Sequence, residues 1–288
     1  MTEIGAYAGD FTRLLLHWGA DRGVRIIAVD PAPKPELEQL ADEHPELELI
    51  RETSLSAFGH IPLTDVVILD GDHNYYTVSE ELRLIFERSR SERELPPLIL
   101  LHDVGWPHGR RDDYHDPQQI PPEYLQPVVE GGGLYPGVKG THEGAIPYRW
   151  PAAQQGGPRN GVLTAVEDFI GSQTDPPELV LIPSFYGLGL LWPREAPYSE
   201  PLAQRLAPLD RNPLVARVER NRVLHLAASQ VGVSRAAVAE EQLLRARTLL
   251  ENLLLSRAFA AAEMILRLRH RGDTPITRAA IREFLGDN

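Results

Sequence analysis

Short apolar runs recur along the first two hundred residues, and between them the apolar positions switch to helical spacing. Val24-Arg-Ile-Ile-Ala-Val-Asp30, Leu47-Glu-Leu-Ile50, Asp65-Val-Val-Ile-Leu-Asp70 and Leu98-Ile-Leu-Leu101 are short and mostly β-branched or leucine, so each reads as a strand. The last two read as strands buried on both faces. Thr2-Glu3-Ile4 reads as the end of one more. Asp10 is a good N-cap for a helix that carries Phe11, Leu14, Leu15 and Trp18 on one face. Glu36 to Glu43 reads as a short helix. Val78 to Glu87 reads as another, with Leu82, Ile85 and Phe86 inward, and Asn160 is placed to cap a third through Val162, Val166, Phe169 and Ile170. Glu178 to Pro183 and Tyr186 to Trp192 read as an antiparallel edge pair. Strands alternating with helices predict an α/β fold, Rossmann-like and doubly wound around a mostly parallel sheet.

Two segments depart from this alternation. Residues 104–160 have little periodicity, are rich in Gly and Pro, and scatter Trp106, Tyr114, Tyr124, Tyr135, Tyr148 and Trp150. A connection this long inside a domain is usually functional, and its aromatics argue against disorder, so it is expected to form a substrate cap. His108, His115 and His142 within it are expected to be solvated, and Arg110-Arg-Asp-Asp113 to be a salt-bridged turn, with binding of an acidic substrate as the alternative. Pro193, Pro197 and Pro201 mark a boundary, so the expected domains are 1–200 and a helical 201–288. Asn212-Pro213 starts a helix, Ser234 is expected to cap the next, and further helices are expected from Arg257 to His270 and from Thr274-Pro275 to Leu285.

Composition narrows the chemistry. There is no cysteine, which excludes disulfides, thiolate metal sites and a cysteine nucleophile. No apolar run reaches the ~20 residues of a membrane span. The start does not resemble a signal peptide, so a cytoplasmic protein with no membrane partner is expected. Net charge is -12, and the 13 Lys/Arg against 8 Asp/Glu from Arg211 onward leave the preceding part at -17. That body repels nucleic acid. Only Leu226 to Val238, which can be read as a helix-turn-helix with Gly232 in the turn, keeps a DNA-binding regulator as an alternative, and Glu240 and Glu241 oppose it.

The candidate chemistry lies at strand ends. The run Val66 to Leu69 leads into Asp70-Gly-Asp72-His73, and Leu98 to Leu101 leads into His102-Asp103. If the two strands are neighbours, these groups share the crevice where open α/β sheets bind ligands. Gly5 and Gly9 flank a turn after the first strand, and Asp30 ends the next strand 21 residues after Gly9, placed to accept from a ribose diol.

As an ordered set, Glu3-Ile-Gly-Ala-Tyr-Ala-Gly9, Val29-Asp30, Asp65 to His73 and Leu100-Leu-His-Asp103 resemble class I S-adenosylmethionine-dependent methyltransferases, in particular small-molecule O-methyltransferases with strand-end Asp-Gly-x-His and His-Asp motifs. The resemblance covers about residues 1–195. It implies a seven-stranded sheet whose last strand is antiparallel, with S-adenosylmethionine held by Glu3, Gly5, Tyr7, Gly9, Asp30 and Asp70. It implies a small-molecule acceptor, a sugar or other natural-product hydroxyl, deprotonated by His102 or His73 beside Asp70. Metal-dependent relatives place a carboxylate after the fourth strand and an acidic pair after the fifth. Asp70 and Asp103 match, while His102 or Val104 stands in the third place. Mg²⁺ prefers all-oxygen ligands, and an imidazole suits Mn²⁺, Fe²⁺ or Zn²⁺ better. Relatives also carry helices ahead of the first strand; either the start lies upstream of Met1 or the cap after Asp103 serves as the lid. The C-terminal helices are expected to pack on the sheet or to join two copies, and a cofactor-binding scaffold without turnover is the third reading.

Overall fold

The computed structural model describes residues 1–269 and 277–286. The main sheet has seven strands: β1 (Thr2–Ile4), β2 (Ile26–Val29), β3 (Leu47–Ile50), β4 (Val66–Leu69), β5 (Leu98–His102), β6 (Glu178–Ile182) and β7 (Leu188–Trp192). Their order is β3-β2-β1-β4-β5-β7-β6, with β7 antiparallel to both neighbours. The chain reverses direction across the sheet between β1 and β4, and their carboxyl ends frame a crevice.

Residue alternation assigns the two faces. Ile26, Ala28 and Ile68 pack with Leu15 and Leu16 of α1 (Asp10–Gly19) and with Leu37 and Leu40 of α2 (Pro35–Glu43). Ile27, Val29, Val67 and Leu69 point the other way. There they meet Ala57 of α3 (Ser54–Ala57), Leu82, Ile85 and Phe86 of α4 (Tyr75–Glu92) and Val162 and Val166 of α5 (Val162–Ser172). Strands β2 and β4 are apolar at every position because both faces are covered. At the far edge, Leu202, Ala203 and Leu206 of α6 (Ser199–Leu206) pack on Val180, Leu190 and Trp192.

Several expectations are corrected at helix starts. Gly9, left-handed at φ 80, precedes α1, and Asp10 is its first residue. The buried face of α1 is Thr12, Leu15, Leu16 and Gly19, leaving Phe11, Leu14 and Trp18 exposed. The reason is polar: the Thr12 hydroxyl donates to Glu3 at 2.7 Å, which turns that face inward. Asn74 caps α4 by accepting from Thr77 N at 2.9 Å, so the helix starts earlier than its apolar stripe. Gly161, not Asn160, precedes α5.

Contacts divide the chain into two compact units, Met1–Ala228 and Ser229–Asn288. Helix α7 (Pro213–Leu255) begins as expected, with Asn212 Oδ1 accepting from Leu214 N and Val215 N. It runs without a break through Gly232 and Ser234, so the helix-turn-helix reading fails. The local sequence is rich in Ala and Leu, strong helix formers that carry the helix across one glycine. Helices α8 (Arg257–Arg269) and α9 (Arg278–Leu285) complete the second unit, and Thr277 caps α9 by accepting from Ala280 N. Thr274 and Pro275, read as the start of that last helix, and His270 lie outside the described residues. Among the described residues no helix is long and apolar enough to cross a membrane.

Candidate active site

Strands β4 and β5 pair in parallel with Leu69 beside Leu101, so Asp70 and His102 emerge on the next rung together. His102 Nδ1 lies 3.1 Å from Asp70 Oδ1 and 3.2 Å from Asp103 Oδ2. His73 Nδ1 approaches the same Asp103 oxygen at 3.2 Å. Asp103 is buried and holds φ 59, a left-handed conformation unusual for a residue with a side chain. The bend turns its carboxylate back between the two imidazoles. Burial opposes the Asp103 charge, but the hydrogen bond from His102 and the neighbouring His73 and His108 prevail and hold its pKa at about 2. Bonds to Asp103 and then Asp70 raise that of His102 to about 10. At neutral pH His102 is therefore an imidazolium that donates to two carboxylates. Asp70, His73 and Asp103 each bring one potential ligand atom within 4.8 Å of the others, and His102 is paired to the same two acids.

Asp72 faces away from this cluster. Its carboxylate accepts from Asn74 Nδ2, Thr77 Oγ1 and His115 N, tying the β4 turn to α4 and to the cap.

The first two strand ends form the other half of the crevice. Gly5 has φ 86, and a Cβ there would lie 2.1 Å from the Asp70 carbonyl oxygen, so glycine is required for the tips of β1 and β4 to meet. Asp30 is buried and accepts from Tyr7 N on one oxygen and Ala32 N on the other, both at 2.8 Å. Each oxygen retains a lone pair for a further donor. The Tyr7 ring is exposed, with the Lys34 ammonium 5.1 Å from its centre. Glu3 is buried against Thr12, and desolvation raises its pKa to about 7.

Residues 104–160 run over the tips of β4 and β5: Asp113 N donates to the His73 carbonyl at 3.0 Å. Arg111 and Asp112 are buried and bond to other partners rather than to each other, which corrects the salt-bridged reading of this turn. The Arg111 guanidinium donates to the carbonyls of Ala152, Lys139 and Gly140. Asp112 accepts from Tyr75 N, Gly161 N and the Tyr114 hydroxyl, and its own N–H donates to Asn160 Oδ1. Only Arg110 makes an ion pair, with Glu167. His108 is also buried rather than solvated. Its ring stacks on His73 at 5.1 Å and meets Tyr148 edge-on at 5.0 Å. Desolvation lowers its pKa to about 3.

Sequence reasoning missed His108, Tyr148 and one more group. In the β6–β7 turn, Phe185 and Tyr186 are left-handed at φ 47 and 67, and the Tyr186 carbonyl accepts from Gly105 N beside the β5 tip. Arg222 of α7 stacks over Tyr186 at 4.5 Å and Phe185 at 5.4 Å, held by Glu219. No local motif announces this wall, because it joins residues from a hairpin turn and a distant helix.

The strand order and the reversed seventh strand define a Rossmann-like fold, the sheet that the resemblance to class I methyltransferases implied. Residues 2–104, from β1 to just past β5, match the family model described as "Methyltransferase domain". No curated protein matches. Among solved structures, a protein from Corynebacterium glutamicum is similar at 11% identity over 67% of this chain and 70% of its own, with a TM-score of 0.38.

Proposed function

We propose that the protein is an S-adenosylmethionine-dependent O-methyltransferase acting on a small-molecule hydroxyl. The observation that carries this reading is the cluster of Asp70, His73, His102 and Asp103 beside the Gly5–Gly9 turn and Asp30, all at the carboxyl ends of adjacent strands.

The cofactor side fits. Asp30 is held by two backbone N–H groups with acceptor capacity left for a ribose diol, and the Gly5, Tyr7 and Gly9 turn is shaped by three left-handed residues. Glu3 supports that turn from behind. When bound, S-adenosylmethionine supplies an electrophilic methyl on a sulfonium.

The acceptor hydroxyl must be aligned with that methyl and lose its proton. His73 is the base in this reading. Its Nδ1 is engaged by Asp103, which selects the tautomer with a proton there and leaves Nε2 as the acceptor nitrogen. His102, charged and tied to both acids, serves instead as a fixed donor that keeps the two carboxylates together at neutral pH. Asp70, His73 and Asp103 also form a mixed oxygen and nitrogen set that would suit Mn²⁺ or Zn²⁺ better than Mg²⁺, and such an ion would acidify a bound hydroxyl. His108, Tyr148, Tyr186 and Arg222 line up with the acceptor side and give it an aromatic, partly cationic wall.

Titration calorimetry with S-adenosylmethionine, in chelator and then with Mn²⁺ or Mg²⁺, tests the reading. Binding in chelator that weakens at least tenfold in Asp30→Ala is expected. No binding under any of these conditions would overturn it.

A further inference from the structure

Helix α7 leaves a long stretch in water. From Arg235 to Leu249 every residue is exposed, among them Ala236, Ala239, Leu243 and Ala246, which share one side of the helix with the exposed Leu253. A helix of this length draws most of its stability from burying an apolar face, so a face this apolar points to a missing neighbour.

The sequence says what the neighbour is. Ala236, Ala239, Leu243, Ala246, Leu250 and Leu253 recur at alternating spacings of three and four, the seam of a coiled coil. The order of small and large residues along the seam is not neutral. A parallel, in-register pair would set Ala against Ala at 236, 239 and 246 and Leu against Leu at 243, 250 and 253, alternating gaps with bulges. An antiparallel pair with Leu243 opposite Ala246 also sets Ala239 opposite Leu250 and Ala236 opposite Leu253. Every layer then joins one small residue to one large one, which fills the space evenly.

Charge agrees. The stretch carries Arg235, Arg245 and Arg247 against Glu240, Glu241 and Glu251, so two copies do not repel through it, and a nucleic acid finds no positive surplus. In the antiparallel register Glu240 flanks the second copy's Arg247, and the contact occurs twice by symmetry. Arg247 already touches Glu251 and the Leu285 carbonyl, so the incoming carboxylate would join a placed guanidinium. Leu250 is half-buried within the chain, whereas Ala239, Leu243 and Ala246 at the centre of the seam are exposed.

We propose that residues 236–253 form an antiparallel coiled coil with the same segment of a second copy. The chain has no cysteine, so an introduced thiol is unique. Full-length Ala236→Cys and Leu253→Cys proteins, mixed and mildly oxidised, are expected to give a disulfide-linked pair. Each alone is expected to stay unlinked, because seventeen residues at 1.5 Å each separate a position from its twin by about 25 Å. Linkage of either variant with itself would show a parallel pair and overturn the proposal. Sedimentation of the unmodified protein is expected to give twice the chain mass, and Leu243→Glu to weaken the pairing at least tenfold with helix content retained. A monomer at all concentrations, or a dimer indifferent to Leu243→Glu, would also overturn it.

Discussion

His102 Nδ1 lies 3.1 Å from Asp70 Oδ1, an ion pair that joins the tips of two parallel strands. Asp103 and then this pair with Asp70 explain why His102 stays charged far above the ordinary histidine range. Its folded pKa of about 10 exceeds the unfolded value of 6.5, so the stability it contributes is fully present below 6.5 and is lost as pH rises through 10. Asp70→Asn leaves only Asp103 as its partner. The His102 titration, followed by imidazole proton shifts, is expected to move down toward 6.5, and methyl transfer to fall about 100-fold. A midpoint still near 10 would mean that Asp103 alone holds the proton.

His73 and His102 share one carboxylate oxygen, and substitution separates their parts in the proposed reaction. His73→Gln is expected to lower turnover by about 10²–10⁴ while S-adenosylmethionine still binds, as loss of a general base requires. Single-turnover rates beside calorimetry measure both. Undiminished turnover would remove His73 from the proton path.

The strand-end chemistry was legible because a buried parallel strand writes itself as an unbroken apolar run and its tip as an abrupt polar cluster. Asp70, His73, His102 and Asp103 therefore stand out in the sequence, as do all seven strands of the main sheet to within a few residues of their ends. What distinguishes the two histidines was not legible, since it depends on which carboxylate oxygen each ring meets. The α1 face differs from the expected one for a similar reason: periodicity favours Phe11, Leu14, Leu15 and Trp18, whereas the helix that bonds Thr12 to Glu3 buries only Leu15 of these. In the cap, backbone carbonyls rather than neighbouring acids satisfy Arg111, and no sequence pattern encodes such partners.

His108 is buried without a partner for Nδ1, and its folded pKa of about 3 lies below the unfolded 6.5. The stability gained by keeping it neutral is present above pH 6.5 and is lost as pH falls through 3. His108→Phe keeps a ring against His73 and Tyr148 but cannot be protonated. Denaturant unfolding between about pH 4 and 7 is expected to show a shallower acid slope in this variant, by up to about 1.4 kcal/mol per pH unit. Parallel slopes would place the acid sensitivity elsewhere.

Phe185 is exposed and left-handed, a conformation that costs a bulky residue on the order of 1 kcal/mol. Asn tolerates it better, so Phe185→Asn is expected to raise unfolding stability by up to about 1 kcal/mol. The same change removes a ring from beneath Arg222, so KM for the acceptor is expected to rise while S-adenosylmethionine affinity holds. A variant more stable and equally active would leave the Phe185 conformation without a part in acceptor binding.

Glu81 lies beneath the site, fully buried, with Oε1 unpartnered beside a cavity of about 10 Å³ that Asp72, His73 and His102 also line. Desolvation, reinforced by Asp72 and opposed by a bond from Ser54, raises its pKa to about 8. The folded value lies above the unfolded 4.5, so its contribution to stability is fully present below 4.5 and is lost as pH rises through 8. Gln has the same shape and no charge to bury. The melting temperature of Glu81→Gln relative to the unmodified protein is therefore expected to climb between about pH 5 and 8 and to level off above that. The cavity is near the lower limit for one water molecule, which would give Oε1 the partner it lacks and would serve Gln equally well. A difference in melting temperature that stays constant with pH would show that Glu81 is ionised in the folded protein, balanced by a charge beyond those that Asp72 and the two histidines supply.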